Sequence, residues 1–335
     1  MRIGFGVITC QRHPDDPRTQ GEIYNDAIEL ACEAERLGFD AVWLSEHHFV
    51  DDGYLSSSMV LAGAIASRTT RVEIGTALLL APFHDPLRLA EDTATADLIS
   101  GGRLVLGVGQ GWRDEEFDAF GLTKRDGPKR LRASIRVLKE GWSSGLVDGP
   151  GVSVTPKPAR PGGPPIWVGG FQEKAVRRAV TIGDGYLGPR GVPEIFAEEA
   201  AWIRDELAVQ KRDPASFRLG LLAPVFVWKE DPAWEVVRPY QHFVTWKYDN
   251  MRDAKGQTGP LPPVGPFEPA DESRLRSMVM AGTPDEVASQ LARYEEVAGR
   301  EIDLIARMYW PGMDPSMQRE AMRIFASEVI PKLRT

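Results

Sequence analysis

One pattern constrains the fold of this chain more than any other: short apolar runs of strand character alternate, end to end, with segments whose apolar residues recur at helical spacing. The strand runs cover 3–8, 41–44, 72–80, 103–108, 166–168, 185–187, 219–228 and 302–309. Between the first two, Ile23, Ala27, Leu30, Ala34 and Leu37 share one helix face, and within 128–142 Leu131, Ile135, Leu138 and Trp142 do the same. Alternation of this kind belongs to parallel sheets, because parallel strands need crossover connections. Repeated eight times, it predicts a (β/α)8 TIM barrel, with a doubly wound sheet as the competing architecture. The stretches 143–165 and 250–269 are too rich in glycine and proline for core elements. They are expected as insertions in a single domain covering 1–335, the first a surface hairpin and the second a lid at the barrel mouth.

Composition narrows the partners. A net charge of -8 with no dense run of Lys or Arg argues against nucleic acid and against anionic membrane surfaces. Two cysteines, Cys10 and Cys32, are too few for a disulfide framework or a four-ligand zinc site and fit a reducing compartment. The apolar opening run, 1–8, is too short for a signal peptide, and no stretch approaches the ~20 apolar residues of a membrane span. These features predict a soluble, cytoplasmic protein.

In barrel enzymes the carboxyl ends of the strands carry the chemistry. Here the run 41–44 leads straight into Glu46, His47 and His48. Adjacent strand residues face opposite sides, so the two histidines are not expected to share an ion, even with His84 and Asp85 after the third strand, and no metal site is predicted. One ring is expected at the mouth and the other packed away from it. Read from the residues alone, a packed or surface role for either histidine stays open. Gly107 to Gly111 departs from the dinucleotide fingerprint, and its glycines would let a flat ligand or a neighbouring backbone approach the strand end. Gly169, Gly170 and Phe171 precede a helical segment whose first amides would suit a phosphate, or form only a turn.

Taken together, several stretches resemble the bacterial luciferase-like, flavin-dependent monooxygenases. They are the segment from Gly38 to Phe49 containing Glu-His-His-Phe, Gly75-Thr76-Ala77, the segment from His84 to Asp92, Ser100 to Leu104, Trp167 to Gly170, Gly282-Thr283-Pro284 and Glu328 to Pro331. The resemblance implies a luciferase-like TIM barrel that binds reduced FMN supplied by a separate flavin reductase. Dioxygen would then oxidise a small organic substrate through a peroxyflavin. It implies a catalytic role for His47, with Glu46 beside it to fix the ring. Thr76, Ala77 and Leu78 would lie under the isoalloxazine, with a cis bond between Ala77 and Leu78. Gly109, Gln110, Trp112, Gly169, Gly170 and Phe171 would complete the cofactor site. Gln110 and Phe171 stand where luciferases have arginine and serine, which leaves the phosphate to backbone amides or to Arg113 or Arg177. A homodimer is also implied. A deazaflavin coenzyme with hydride transfer is the alternative within the family, and a non-catalytic flavin-binding protein is the alternative outside catalysis; the Glu-His-His-Phe wording favours FMN.

Overall fold

The structure, a computed structural model, describes residues 1–143, 145–189, 192–229, 232–253 and 263–334. Its strands are β1 (Arg2–Ile8), β2 (Ala41–Leu44), β3 (Glu73–Thr76), β4 (Leu79–Leu80), β5 (Leu104–Gly109), β6 (Ile166–Gly169), β7 (Gly185–Pro189), β8 (Arg218–Val227), β9 (Met280–Gly282) and β10 (Asp303–Arg307). The ring runs β1-β2-β3-β5-β6-β7-β8-β10, every pairing is parallel, and β10 returns to β1 with Arg2 opposite Asp303. The predicted eight-stranded barrel is therefore closed. β4 continues the wall beyond β3 onto β5, and β9 extends β8 outside the ring.

Around the ring lie α1 (Gln20–Leu37), α2 (Ser58–Arg68), α3 (Pro86–Ser100), α4 (Asp114–Ala119), α5 (Gly127–Trp142), α6 (Glu173–Ile182), α7 (Pro193–Val209), α8 (Ala233–Asp253), α9 (Glu272–Ser277), α10 (Pro284–Ala298) and α11 (Pro315–Ile324). Their ends follow local chemistry. Thr19 with Glu22 and Thr283 with Glu286 form reciprocal capping boxes, and Gly38 ends α1 in the left-handed region at φ 86°. The buried face of α1 is the predicted one, with Ile23, Ala27, Leu30 and Ala34 against the strands. Ser57, ahead of α2, makes no side-chain cap bond.

The interior of the barrel is filled by two tryptophans. Trp43 from β2 and Trp167 from β6 pack with ring centroids 5.1 Å apart, among Ala41, Val105, Leu187 and Ile305. Indoles fit in a ring this narrow only where facing positions have no side chain. A Cβ on Gly4 would lie 2.4 Å from the Trp43 indole nitrogen, one on Gly75 2.2 Å from its six-membered ring, and those on Gly185 and Gly220 2.7 and 2.8 Å from Trp167. At the amino-terminal end of the strands, Arg218 stacks on Trp167 at 4.8 Å and joins Arg2, Glu73 and Asp303 in a charged network.

Three sequence readings change. The third strand run is divided by a cis peptide between Ala77 and Leu78, the bond the resemblance implied; a second, between Gly6 and Val7, was not foreseen. In 143–165, one antiparallel bridge joins Val147 and Val152, so the surface hairpin is short. Of the expected lid at 250–269, residues 250–253 complete α8 and 254–262 lie outside the described residues.

Gly75→Ala should cost about 1–3 kcal/mol through overpacking against Trp43. In a Trp43→Ala background the same change should cost far less, which a double-mutant cycle by urea unfolding would register as coupling between the two positions.

Candidate active site

β2 ends at Leu44, so Glu46, His47 and His48 belong to the loop that follows and escape strict strand alternation. The two rings still part company. His47 is buried and turns toward Tyr54, Trp112 and Tyr248, at 4.9, 5.6 and 6.0 Å between centroids. His48 turns the other way, among Phe83, Phe120 and His84. The separation of the two histidines was legible in the sequence; their partners were not.

Glu46 does not orient His47. That role falls to Glu116 of α4, whose Oε1 lies 2.8 Å from His47 Nδ1 and also accepts the His48 backbone N–H at 2.9 Å. A carboxylate on Nδ1 selects the tautomer protonated there and leaves Nε2, which has no hydrogen bond among the described residues, as the ring's reactive nitrogen. Arg113 approaches Glu116 to 3.6 Å and donates to the His48 carbonyl at 2.8 Å. Tyr54 donates to Ser45 Oγ at 3.0 Å and lies 2.8 Å from the Tyr248 hydroxyl, tying α8 to the same loop. Burial raises the pKa of both phenols, so both stay protonated at neutral pH.

Glu46 serves a different pair. Its Oε1 takes bonds from His84 Nε2 at 2.8 Å, His48 Nε2 at 3.3 Å and the Leu80 amide at 3.2 Å, while Ser58 donates to Oε2 at 2.6 Å. Ser58 is the first residue of α2, so this bond ties the helix start to the loop. Among the described residues Glu46, His48 and His84 form a group whose ligand atoms lie close enough to hold an ion, although no metal site was expected from the sequence. Hydrogen bonds alone account for both oxygens of the acid. Burial would raise its pKa, but the bonds from His48, His84 and Ser58 and the charge of His84 outweigh that and hold it at about 2.

The expected cofactor residues divide. Thr76 is fully buried and donates to the Gly107 carbonyl at 2.7 Å, so its hydroxyl joins β3 to β5 and does not face a ligand. The open faces of Gly109 and Gly169 are filled by Leu78, whose side chain would stand 2.9 and 2.2 Å from a Cβ at those positions. A side chain therefore takes the space at these two glycines, whereas at Gly107 a Cβ would lie 1.9 Å from the Thr76 carbonyl oxygen, the close approach of a neighbouring backbone expected for that run. Gly170 accepts a bond from Tyr186 at 2.7 Å, Phe171 is 73% exposed, and Gln110 is exposed. Trp112 is half-buried beside His47. Gln172, ahead of α6, makes no side-chain cap, and the Ala175 amide already bonds the Gln172 carbonyl at 2.7 Å, so the Glu173 and Lys174 amides are the ones left open. A cavity of about 740 Å³ opens beside the mouth between Arg12, His13, Phe243, Trp246 and Lys247, and none of the predicted site residues lines it.

An unfolded Glu46 titrates near 4.5 and the folded one near 2. Its contribution to stability is therefore complete above about pH 4.5 and lost as pH falls toward 2. Glu46→Gln should be less stable than the parent by about 3 kcal/mol at pH 7, the gap closing in acid, as urea unfolding at stepped pH would measure.

No helix among the described residues is long and apolar enough to cross a membrane. The chain is 24% identical to the oxygenase component of the flavin-dependent trigonelline monooxygenase of Acinetobacter baylyi, over 98% of this chain and 94% of that one. It is 26% identical to an F420-dependent glucose-6-phosphate dehydrogenase of Amycolatopsis mediterranei, over 92% and 94%. The crystal structure of the monooxygenase RslO1 from Streptomyces bottropensis superposes with a TM-score of 0.84 at 22% identity, over 99% of both chains. The profile of the luciferase-like monooxygenases matches residues 3–301, and the chain belongs to that family.

Proposed function

We propose that the chain is the oxygenase component of a two-component monooxygenase, which takes reduced FMN from a separate reductase and uses dioxygen to oxidise a small organic molecule. The observation that carries this reading is the acid-backed His47 at the barrel mouth, with Nδ1 fixed by Glu116 and Nε2 free of other bonds among the described residues. Bound FMN would supply the electrons that activate dioxygen. The uncapped start of α6 beside Gly169, Gly170 and Phe171 fits its phosphate, because open amides at a helix start attract an anion. Leu78 and Ala77, above the tryptophan plug, offer an apolar floor for a flat ring.

His47 would hold and pass a proton at Nε2, while Glu116 stabilises the ring when it is charged. Tyr54, Trp112 and Tyr248 pack around the ring and hold it in place. A purely flavin-binding protein has no need of an imidazole so placed. The deazaflavin alternative draws support from the F420-dependent relative.

Reduced FMN should bind at least ~10-fold more tightly than reduced riboflavin in anaerobic titrations, since the phosphate adds charge-assisted bonds. Equal affinities would remove the phosphate site, and tighter binding of a deazaflavin would move the chain to hydride transfer. His47→Ala should slow substrate oxidation by ~100-fold or more with flavin affinity little changed. Glu116→Gln should give a smaller loss, and Glu46→Gln should act mainly on stability. A larger loss of turnover at His48 than at His47 would overturn the assignment.

A further inference from the structure

Arg307 is the last residue of β10, in register with Gly6 and Pro224. Ile305, two residues earlier, belongs to the plug around Trp43 and Trp167, and strand alternation puts Arg307 on the same inward face one level higher, at the mouth. The residue is only 8% exposed. Its Nη2 is buried with no hydrogen-bond partner, and among the described residues no carboxylate lies within 4 Å of it. The other buried cations differ: Arg113 has Glu116 at 3.6 Å, and Lys247 has Asp52 at 3.4 Å. The guanidinium lies 5.7 Å from the Trp310 ring centroid, and the indole N–H of Trp310 is also buried without a partner.

An unpaired buried cation is costly, and a chain that keeps one has a use for its charge. The flavin phosphate does not supply it, because the open start of α6 follows β6, across the ring from β10. β10 stands instead one strand, β1, away from β2 and the loop that carries His47, which places the charge on that side of the mouth. We propose that Arg307 anchors a carboxylate on the substrate, held by its paired N–H groups, so that the oxidised molecule is a flat organic acid lodged between Trp310 and the Tyr54–Tyr248 pair. Arginine is suited to this because its planar fork matches a carboxylate in two parallel bonds. The assignment rests on the mouth being the substrate site of an oxygenase.

The test uses the full chain, with and without FMN, and three probes: benzoate, cinnamate and nicotinate, each beside its primary amide. Intrinsic tryptophan fluorescence and thermal shift should show the acids binding and the amides binding about 30-fold more weakly or not at all. Arg307→Gln should abolish the preference, Arg307→Lys should retain part of it, and FMN affinity should be unchanged in both. Free Arg307→Gln should melt no lower than the parent, since it loses an uncompensated charge. Equal binding of acid and amide, no binding of any acid, or an unchanged preference in Arg307→Gln would overturn the proposal. So would a lower melting temperature in Arg307→Gln, the mark of a structural arginine, or a selective loss of FMN affinity, the mark of a cofactor contact. Acid-selective binding lost in Arg307→Gln supports the anchor even if the parent fails to bind FMN, a result that sinks only the flavin reading.

Discussion

Trp43 and Trp167 meet inside the barrel at 5.1 Å, and the arrangement of wall, floor and mouth follows from that contact. Two indoles occupy a ring of eight strands only because glycines on neighbouring strands yield them space. Gly4 and Gly75 do so for Trp43, and Gly185 and Gly220 for Trp167. The interior beneath the mouth is thereby solid, and Arg218 seals the other end by stacking on Trp167 while pairing with Glu73 and Asp303. The Glu46, His47 and His48 cluster stands at the carboxyl ends of the strands, where barrel enzymes place their chemistry.

At that end two buried acids divide the histidines between them. Glu46 accepts from four donors, which hold its charge in place. Glu116 is less fully engaged: Oε1 serves His47 and the His48 amide, while Oε2 is buried without a partner. An acid with spare capacity beside an imidazole can answer a change of charge on that ring; one already saturated cannot. The two environments therefore give neighbouring residues of the same loop different duties.

The elements were legible in the sequence because they depend on local periodicity and end signals. Ile23, Ala27, Leu30 and Ala34 mark the buried face of α1 by their spacing alone, and Thr283 with Pro284 marks the start of α10. The partners in the site were not legible in the same way. Glu116 stands 69 positions from His47 and His84 stands 38 from Glu46, and nothing in a string of residues ranks one distant acid over a nearer one. Gly109 could be read as an opening for a ligand or for a neighbouring backbone, and only the assembled barrel shows that the Leu78 side chain takes the space. Arg307 closes an ordinary strand run; its isolation emerges only when the surrounding strands are assembled.

A single carboxylate, Glu46, holds the loop after β2, the Leu80 turn, His84 ahead of α3 and the first residue of α2. That half of the rim behaves as one moulded piece. An insertion in any of its segments would strip donors from a buried anion, so the piece resists being redrawn part by part. A lineage adapting this barrel to new substrates is steered to the other half of the rim, where α8 meets β8 and the ties are divided among Lys247, Gln318 and the Tyr54–Tyr248 pair rather than gathered on one acid. Variation among descendants of this chain should gather there, leaving the Glu-His-His corner as the inherited signature.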